Sequence, residues 1–103
     1  MRITAEEGKK LLEELGDNVT LIDIRHPFEY EAGHIPGAIL IDNDEMSAQV
    51  MHPMLPKDLK RPLIIYCRSG VRTRAAFQKL KALGYETVYD MGGIIHWPYE
   101  VER

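Results

Sequence analysis

Residues 62–83 read PLIIYCRSGVRTRAAFQKLKAL and decide the fold. The apolar run predicts a strand over Leu63–Tyr66, and the apolar spacing of Thr73–Leu83 predicts an amphipathic helix. The turn between them contains Cys67, the single cysteine of the chain. Backbone N–H groups converge at such a turn and the helix dipole adds partial positive charge, so a thiolate is stabilised there and an anion is attracted. The sequence therefore predicts that the protein works through Cys67.

The rest of the chain alternates predicted helices with predicted strands. Thr4–Glu7 has the spacing of a capping box, which predicts a helix that ends at Gly16. Pro27–Ala32 predicts a short helix closed by Gly33. The remaining predictions are strands at Val19–Ile24, Ile39–Ile41 and Thr87–Tyr89, a weak helix at Asp44–Val50 and a last helical turn beginning at Gly92-Gly93. Strands that are apolar throughout and alternate with helices indicate a parallel sheet covered on both faces.

Length and composition predict one domain over residues 1–103. With 45% hydrophobic and 28% charged residues, the chain has the composition of ordinary globular proteins, and its apolar runs are too short to span a bilayer. No apolar signal region follows Met1, so a cytoplasmic location is expected. A single cysteine excludes an internal disulfide, a C-x-x-C pair and a cysteine-based zinc site. We expect a monomer, because nothing in the sequence demands more, and no cofactor. No metal is expected either, because the histidines lack ligand spacing.

The distribution of charge favours a small anion as the partner of this protein. The formal net charge of −3 argues against binding to nucleic acid. Between Asp58 and Glu86 there is no acidic residue. The basic residues of this segment are Lys60, Arg61, Arg68, Arg72, Arg74, Lys79 and Lys81. The segment around Cys67 is therefore cationic within an acidic chain, and Arg68 and Arg72 flank the thiol.

Four motif blocks in this order resemble the rhodanese homology domain. They are LIDIR with Glu29 (residues 21–29), GHIPGA (residues 33–38), IYCRSGVRT (residues 65–73), and GGI with Trp97 (residues 92–97). The resemblance covers nearly the whole chain from Val19 to Trp97. It implies a single-domain rhodanese with an α/β sandwich, in which helices cover both faces of a five-stranded, mostly parallel sheet. It also implies thiosulfate sulfurtransferase-type activity through a cysteine persulfide.

The residues themselves fit that chemistry. A Cys67 thiolate would attack the outer sulfur of thiosulfate or a related persulfide donor and hold it as a persulfide. A thiol or cyanide, or a sulfur-accepting protein, would then remove it. Because thiolate and donor are both anions, their repulsion has to be offset by cations and loop amides. The residues expected to bind the substrate are Arg68, Ser69, Gly70, Val71, Arg72 and Thr73, the last by a hydroxyl that caps the helix or bonds the sulfur.

Two alternatives to a sulfurtransferase stay open. Residues 67–72, the Cys67 loop, have the spacing C-x4-R, one residue shorter than the C-x5-R of protein tyrosine phosphatases and some arsenate reductases. In rhodanese-like folds the shorter loop goes with sulfur substrates, which disfavours these two enzyme classes. The other alternative is a catalytically silent rhodanese-like binding or regulatory domain. The complete cationic loop favours the enzyme, for which we expect Cys67 to be exposed.

Other polar residues of the motifs are expected to have structural roles. Asp23, Arg25 and Glu29 predict a buried ion pair or a hydrogen-bonded loop tie. His34 is expected to anchor its loop through a ring hydrogen bond. The acidic residues 42–45 would disfavour free thiosulfate if they lie at the rim of the site.

Overall fold

The computed structural model describes residues 1–103 and contains one sheet of four parallel strands. The strands are β1 (Thr20–Asp23), β2 (Ile39–Leu40), β3 (Leu63–Cys67) and β4 (Val88–Gly93), in the order β2-β1-β3-β4 across the sheet. The parallel α/β architecture is confirmed, but the expected fifth strand is reduced to a single parallel bridge between Arg2 and Asp90 at the β4 edge. It stays this short because Thr4 already caps the first helix.

The helices agree with most of the sequence predictions. They are α1 (Ala5–Leu15), α2 (Pro27–Ala32) and α3 (Thr73–Ala82), with single 3-10 turns at Gly16–Asn18, Asn43–Glu45 and Ile94–His96. The capping box is confirmed, because the Glu7 N–H donates to Thr4 Oγ1 at 3.0 Å and the Thr4 N–H donates to Glu7 Oε1 at 2.9 Å. None of the helices combines the length and the apolar character needed to cross a membrane.

One local prediction was wrong, and another was shifted along the chain. The helix expected at Asp44–Val50 is replaced by the Asn43–Glu45 turn and irregular chain. Ser47 explains the loss, because its Oγ accepts hydrogen bonds from the N–H groups of Gln49 and Val50 and so competes with a helix. The expected last helical turn is present before Pro98 as the 3-10 turn Ile94–His96, and Gly92-Gly93 end β4 directly before it.

The core has two layers, one on each face of the sheet. All five residues of β3 are buried, and they alternate between the layers. Leu63, Ile65 and Cys67 pack in the layer that α3 covers through Ala76 and Leu80. The other layer holds the side chains of Ile64 and Tyr66, with Leu11, Leu12 and Leu15 of α1 packed against it. This packing confirms that helices cover both faces, and it places Cys67 at the carboxyl end of the central strand.

Candidate active site

The thiol of Cys67 ends β3 on the side that faces α3. The residue is fully buried and belongs to the apolar core, so the expectation of an exposed thiol was wrong. The reason is the alternation of β3, which turns Cys67 inward together with Leu63 and Ile65, while the Cys67 loop folds back over it. The sulfur accepts a hydrogen bond from the Gly70 N–H at 3.0 Å. This bond is direct contact between the predicted nucleophile and a loop amide.

Gly70 shapes the loop around the sulfur. Its φ of +94° lies in the region that favours glycine, and the residue is buried. The carbonyl of Gly70 accepts hydrogen bonds from Thr73 Oγ1 at 3.0 Å and from Arg2 Nη2 at 3.1 Å. The hydroxyl of Thr73 therefore holds the loop backbone, and the prediction that it caps α3 or bonds the sulfur was wrong. Gly70 is thus fixed at its carbonyl while its N–H points to Cys67.

The end of β4 lies directly against the backbone of the Cys67 loop and supports it. A Cβ atom at Gly93 would lie 2.2 Å from the Arg68 carbonyl oxygen and 2.6 Å from the Ser69 Cα, so only glycine fits there. The Ile95 N–H donates to the same Arg68 carbonyl at 3.2 Å. Gly93 is thus part of the site as a surface on which the loop rests.

Arg72 is held by a partner that the sequence analysis did not assign to it. Its Nη1 and Nη2 donate to Glu29 Oε1 and Oε2 at 2.8 and 3.0 Å. These hydrogen bonds lower the pKa of Glu29 to about 2, outweighing the opposite effect of burial, and they raise the pKa of Arg72. Arg72, the last residue of the Cys67 loop, therefore has its charge already matched by a carboxylate.

The remaining predicted site residues lie on the outer surface of the loop. The side chains of Arg68, Ser69 and Val71 are exposed, and Val71 retains 75% of its accessible surface. Two further exposed apolar residues adjoin the loop through bonded neighbours. Phe28 precedes the Glu29 that holds Arg72, and Ile95 bonds Arg68 through its backbone. The loop itself therefore exposes the free guanidinium of Arg68 and the apolar side chain of Val71.

The expected structural tie at Asp23 and Arg25 is confirmed. Asp23 is fully buried and accepts hydrogen bonds from Arg25 Nε at 3.0 Å and Arg25 Nη2 at 2.7 Å. The Tyr66 hydroxyl donates to the same carboxylate at 2.8 Å, and Arg25 Nη2 also donates to the Gly33 carbonyl at 2.7 Å. His34 is likewise an anchor, with Nδ1 2.9 Å from the Tyr30 carbonyl oxygen.

Within the acidic residues 42–45, Asp42 contacts the N-terminal end of α2, and the effect of this stretch on thiosulfate stays a prediction. Asp42 Oδ2 lies 2.9 Å from His26 Nδ1, at the N-terminus of α2. The hydrogen bond to Asp42 raises the pKa of His26. His26, Asp42 and Asp44 bring possible ligand atoms within 4.8 Å of one another, and a hydrogen bond between His26 and Asp42 accounts for the closest pair. The expectation of no metal stays a prediction.

Comparison with known proteins shows the same fold elsewhere. The family described as the rhodanese-like domain matches residues 4–98. The thiosulfate sulfurtransferase GlpE of Pseudoalteromonas translucida is 39% identical over 82 residues, which are 79% of this chain and 74% of that protein. The structure of the human single-domain sulfurtransferase TSTD1 superimposes with a TM-score of 0.76 at 29% identity, covering 89% of this chain and 88% of that one.

A longer relative contains the same domain as one part. The probable adenylyltransferase/sulfurtransferase MoeZ of Mycobacterium tuberculosis is 34% identical over 101 residues, which are 97% of this chain and 25% of that protein. The chain thus spans about a quarter of the length of MoeZ. Sulfur transfer appears in the names of all three relatives, and they support that activity in general.

Proposed function

The chain belongs to the rhodanese-like domain family, and from that premise we propose that it transfers a sulfane sulfur through a persulfide on Cys67. The donor is thiosulfate or a related persulfide, and the acceptor is a thiol or cyanide. The observation that carries the proposal is the Gly70 N–H, which donates to the Cys67 sulfur at 3.0 Å inside a loop of C-x4-R spacing. A thiolate or persulfide at this atom is stabilised by that donor.

The reaction has two displacement steps at sulfur. In the first, the Cys67 thiol loses its proton to solvent, the thiolate attacks the outer sulfur of thiosulfate, and the S–S bond of the donor breaks. The bonding electron pair leaves with sulfite. In the second, an acceptor thiolate or cyanide attacks the terminal sulfur, and Cys67 leaves as a thiolate. Negative charge is therefore on Cys67 at the start and the end of the cycle, where the Gly70 N–H can stabilise it.

The cations around the site support an anionic donor, with unequal roles. Arg68 is exposed on the loop and stands free to attract a sulfur oxyanion. Arg72 is the last residue of the Cys67 loop and gives both terminal nitrogens to Glu29. A donor that uses Arg72 has to share it with that carboxylate, so Arg68 supplies most of the long-range attraction.

Three exposed apolar residues on the Cys67 loop or next to its hydrogen-bonding contacts support a sulfur-accepting protein as one acceptor. Phe28, Val71 and Ile95 retain 71%, 75% and 58% of their accessible surface, and all adjoin the Cys67 loop or its partners. Exposed apolar residues that form one patch are typical of a surface that contacts another macromolecule, and these three are the proposed patch. The monomeric state and the cytoplasmic location stay predictions.

The test is intact-protein mass spectrometry of the reduced chain mixed with thiosulfate, run beside Cys67→Ser. We expect the wild type to gain the mass of one sulfur atom, the gain to disappear on adding cyanide, and the variant to gain nothing. A gain with glutathione persulfide but none with thiosulfate would place the donor among persulfides. No gain with either, from a folded chain, would indicate a silent binding domain. Phosphate-ester turnover that depends on Cys67 and exceeds sulfur transfer would indicate a phosphatase.

A further inference from the structure

Arg2 lies at the edge of the sheet and reaches the Cys67 loop from β4. Its backbone forms the single parallel bridge with Asp90, and the Ile3 N–H donates to the Asp90 carbonyl at 2.8 Å. Its guanidinium makes two contacts through Nη2, 3.2 Å to Asp90 Oδ2 and 3.1 Å to the Gly70 carbonyl oxygen. Arg2 therefore joins the edge of the sheet directly to the loop that surrounds the thiol.

The seat of this guanidinium is built from two glycines and a nearly buried carboxylate. Gly70 and Gly92 have φ values of +94° and +76°, and a Cβ on either would lie 2.9 or 3.0 Å from Arg2 Nη1. The carboxylate of Asp90 is oriented by the Gly92 N–H, which donates to its Oδ1 at 2.9 Å. Side chains at the two glycine positions would displace the guanidinium, so the loop and the strand end together form its binding position.

We infer that Arg2 is a positioning residue for the Cys67 loop. It holds the carbonyl side of Gly70, while the N–H of the same residue donates to the Cys67 sulfur. Arg2 itself has no contact with the sulfur and acts through Gly70. The inference deepens the proposed function and rests on it, since a sulfur that changes charge during the cycle needs its donor kept in place.

A role in stability alone does not explain the arrangement. The side chain of Arg2 is 51% exposed, and an ion pair with that much solvent contact contributes little to stability. Solvent exposure does not remove the hydrogen bond by which Arg2 holds Gly70 in position. The Gly70 carbonyl has only one other side-chain donor, Thr73. Loss of Arg2 should therefore change the reaction more than the folding.

The test compares Arg2→Met with Arg74→Met. Both residues line the same cleft of about 290 Å³ beside α3, and each substitution removes one positive charge. Arg74 is exposed and is the matched control for charge alone. In single-turnover persulfide formation, we expect Arg2→Met to lower the limiting rate about tenfold with little change in the half-saturating thiosulfate concentration. Arg74→Met should leave the limiting rate within about twofold, and Arg2→Lys should recover part of the loss.

A second readout needs no sulfur donor. Hydrogen exchange of the Gly70 amide in the reduced protein, followed by NMR, should be about tenfold faster in Arg2→Met than in wild type and unchanged in Arg74→Met. Equal exchange rates of the Gly70 amide in Arg2→Met and Arg74→Met would overturn the positioning role. So would an effect of Arg2→Met on the half-saturating thiosulfate concentration alone. If wild type takes up no sulfur, the proposed function fails, and unchanged exchange at Gly70 in Arg2→Met would then overturn this inference separately.

Discussion

The carboxyl ends of β1 and β3 lie side by side in the sheet, but their last side chains differ in how many hydrogen bonds they accept from protein. Asp23 ends β1 and pairs in register with Tyr66, the residue before Cys67. The Asp23 carboxylate is surrounded by donors from Arg25 and Tyr66, and every one of them belongs to a buried side chain or its backbone. The sulfur of Cys67 has one donor, the Gly70 N–H, from a loop whose outer residues are exposed.

If the proposed function holds, the difference distinguishes a charge that stabilises the fold from an atom that reacts. A buried carboxylate with all its hydrogen bonds made to protein has no capacity left for a ligand, so Asp23 stabilises the fold. A sulfur with a single amide donor in a loop can accept further interactions when a substrate arrives. The comparison also explains why a motif residue as polar as Asp23 does not have to be catalytic.

The largest expected effect is on stability, at the end of β1. Asp23→Asn removes the counter-charge of the buried Arg25 guanidinium, and we expect a loss of about 3–5 kcal/mol in the free energy of unfolding. Cys67→Ser should cost only about 1 kcal/mol, because a hydroxyl can still accept from Gly70 while the buried apolar contacts of sulfur are lost. Urea denaturation of both variants measures the difference.

Activity should show the reverse order for the same two variants. Cys67→Ser should lose all persulfide formation, whereas the folded fraction of Asp23→Asn should keep the rate of wild type to within a few-fold. A larger loss of stability from Cys67→Ser than from Asp23→Asn would make the thiol a structural residue and remove the contrast between the two strand ends.

The next largest effect is on the KM for thiosulfate, and it concerns the ion pair of Arg72 and Glu29 at the Cys67 loop. Glu29→Gln frees the positive charge of Arg72, so the KM for thiosulfate should fall about threefold. Arg72→Gln leaves the Glu29 carboxylate as an unpaired negative charge at the loop, so the KM for thiosulfate should rise about tenfold. The two substitutions are made on opposite partners of one ion pair and should shift the KM in opposite directions. Steady-state kinetics with thiosulfate and cyanide give both values.

A common direction would change the interpretation of this pair. If both variants raise the KM equally, Glu29 and Arg72 act together to shape the loop, and the charge of Arg72 has no separate role in binding. The two outcomes are distinguishable because Gln keeps most of the length and hydrogen-bonding capacity of Glu at position 29.

Most of the fold could be predicted because its signals are local. The apolar run of β3, the capping box of Thr4 and the proline that begins α2 each specify their own element. The failures come from local competition, as at Ser47, whose hydroxyl bonds the backbone that would otherwise form a helix. The missing fifth strand has a similar cause, since α1 begins too early for more than Arg2 to pair.

The site was less predictable because its contacts join distant parts of the chain. The contact between Cys67 and Gly70 could be predicted because the two residues are three positions apart. Arg72 and Glu29 are 43 positions apart, and Arg2 and Gly70 are 68 apart, so neither pairing has a spacing that sequence patterns can show. The burial of Cys67 was missed for the same reason, since the cover is a loop supported by β4 at Gly93.

The smallest expected effect is the acid dependence of the Glu29 and Arg72 pair. Folding lowers the pKa of Glu29 from 4.5 to about 2, because Arg72 donates hydrogen bonds to it and these outweigh burial. A carboxylate with a lowered pKa stabilises the fold fully above its unfolded value, and this stabilisation is lost as the pH falls through the folded value.

Wild type should therefore lose about 1 kcal/mol more than Glu29→Gln between about pH 5 and pH 2, an amount kept small because the Arg72 side chain is 30% exposed. Urea denaturation of the two chains across that range measures the difference. Equal losses would mean that Glu29 titrates alike in the folded and unfolded chains and that solvent screens the pair completely. The Cys67 loop would then be held only by the contacts of Gly70 and its partners. The end of β1 would still be held by the buried contacts of Asp23.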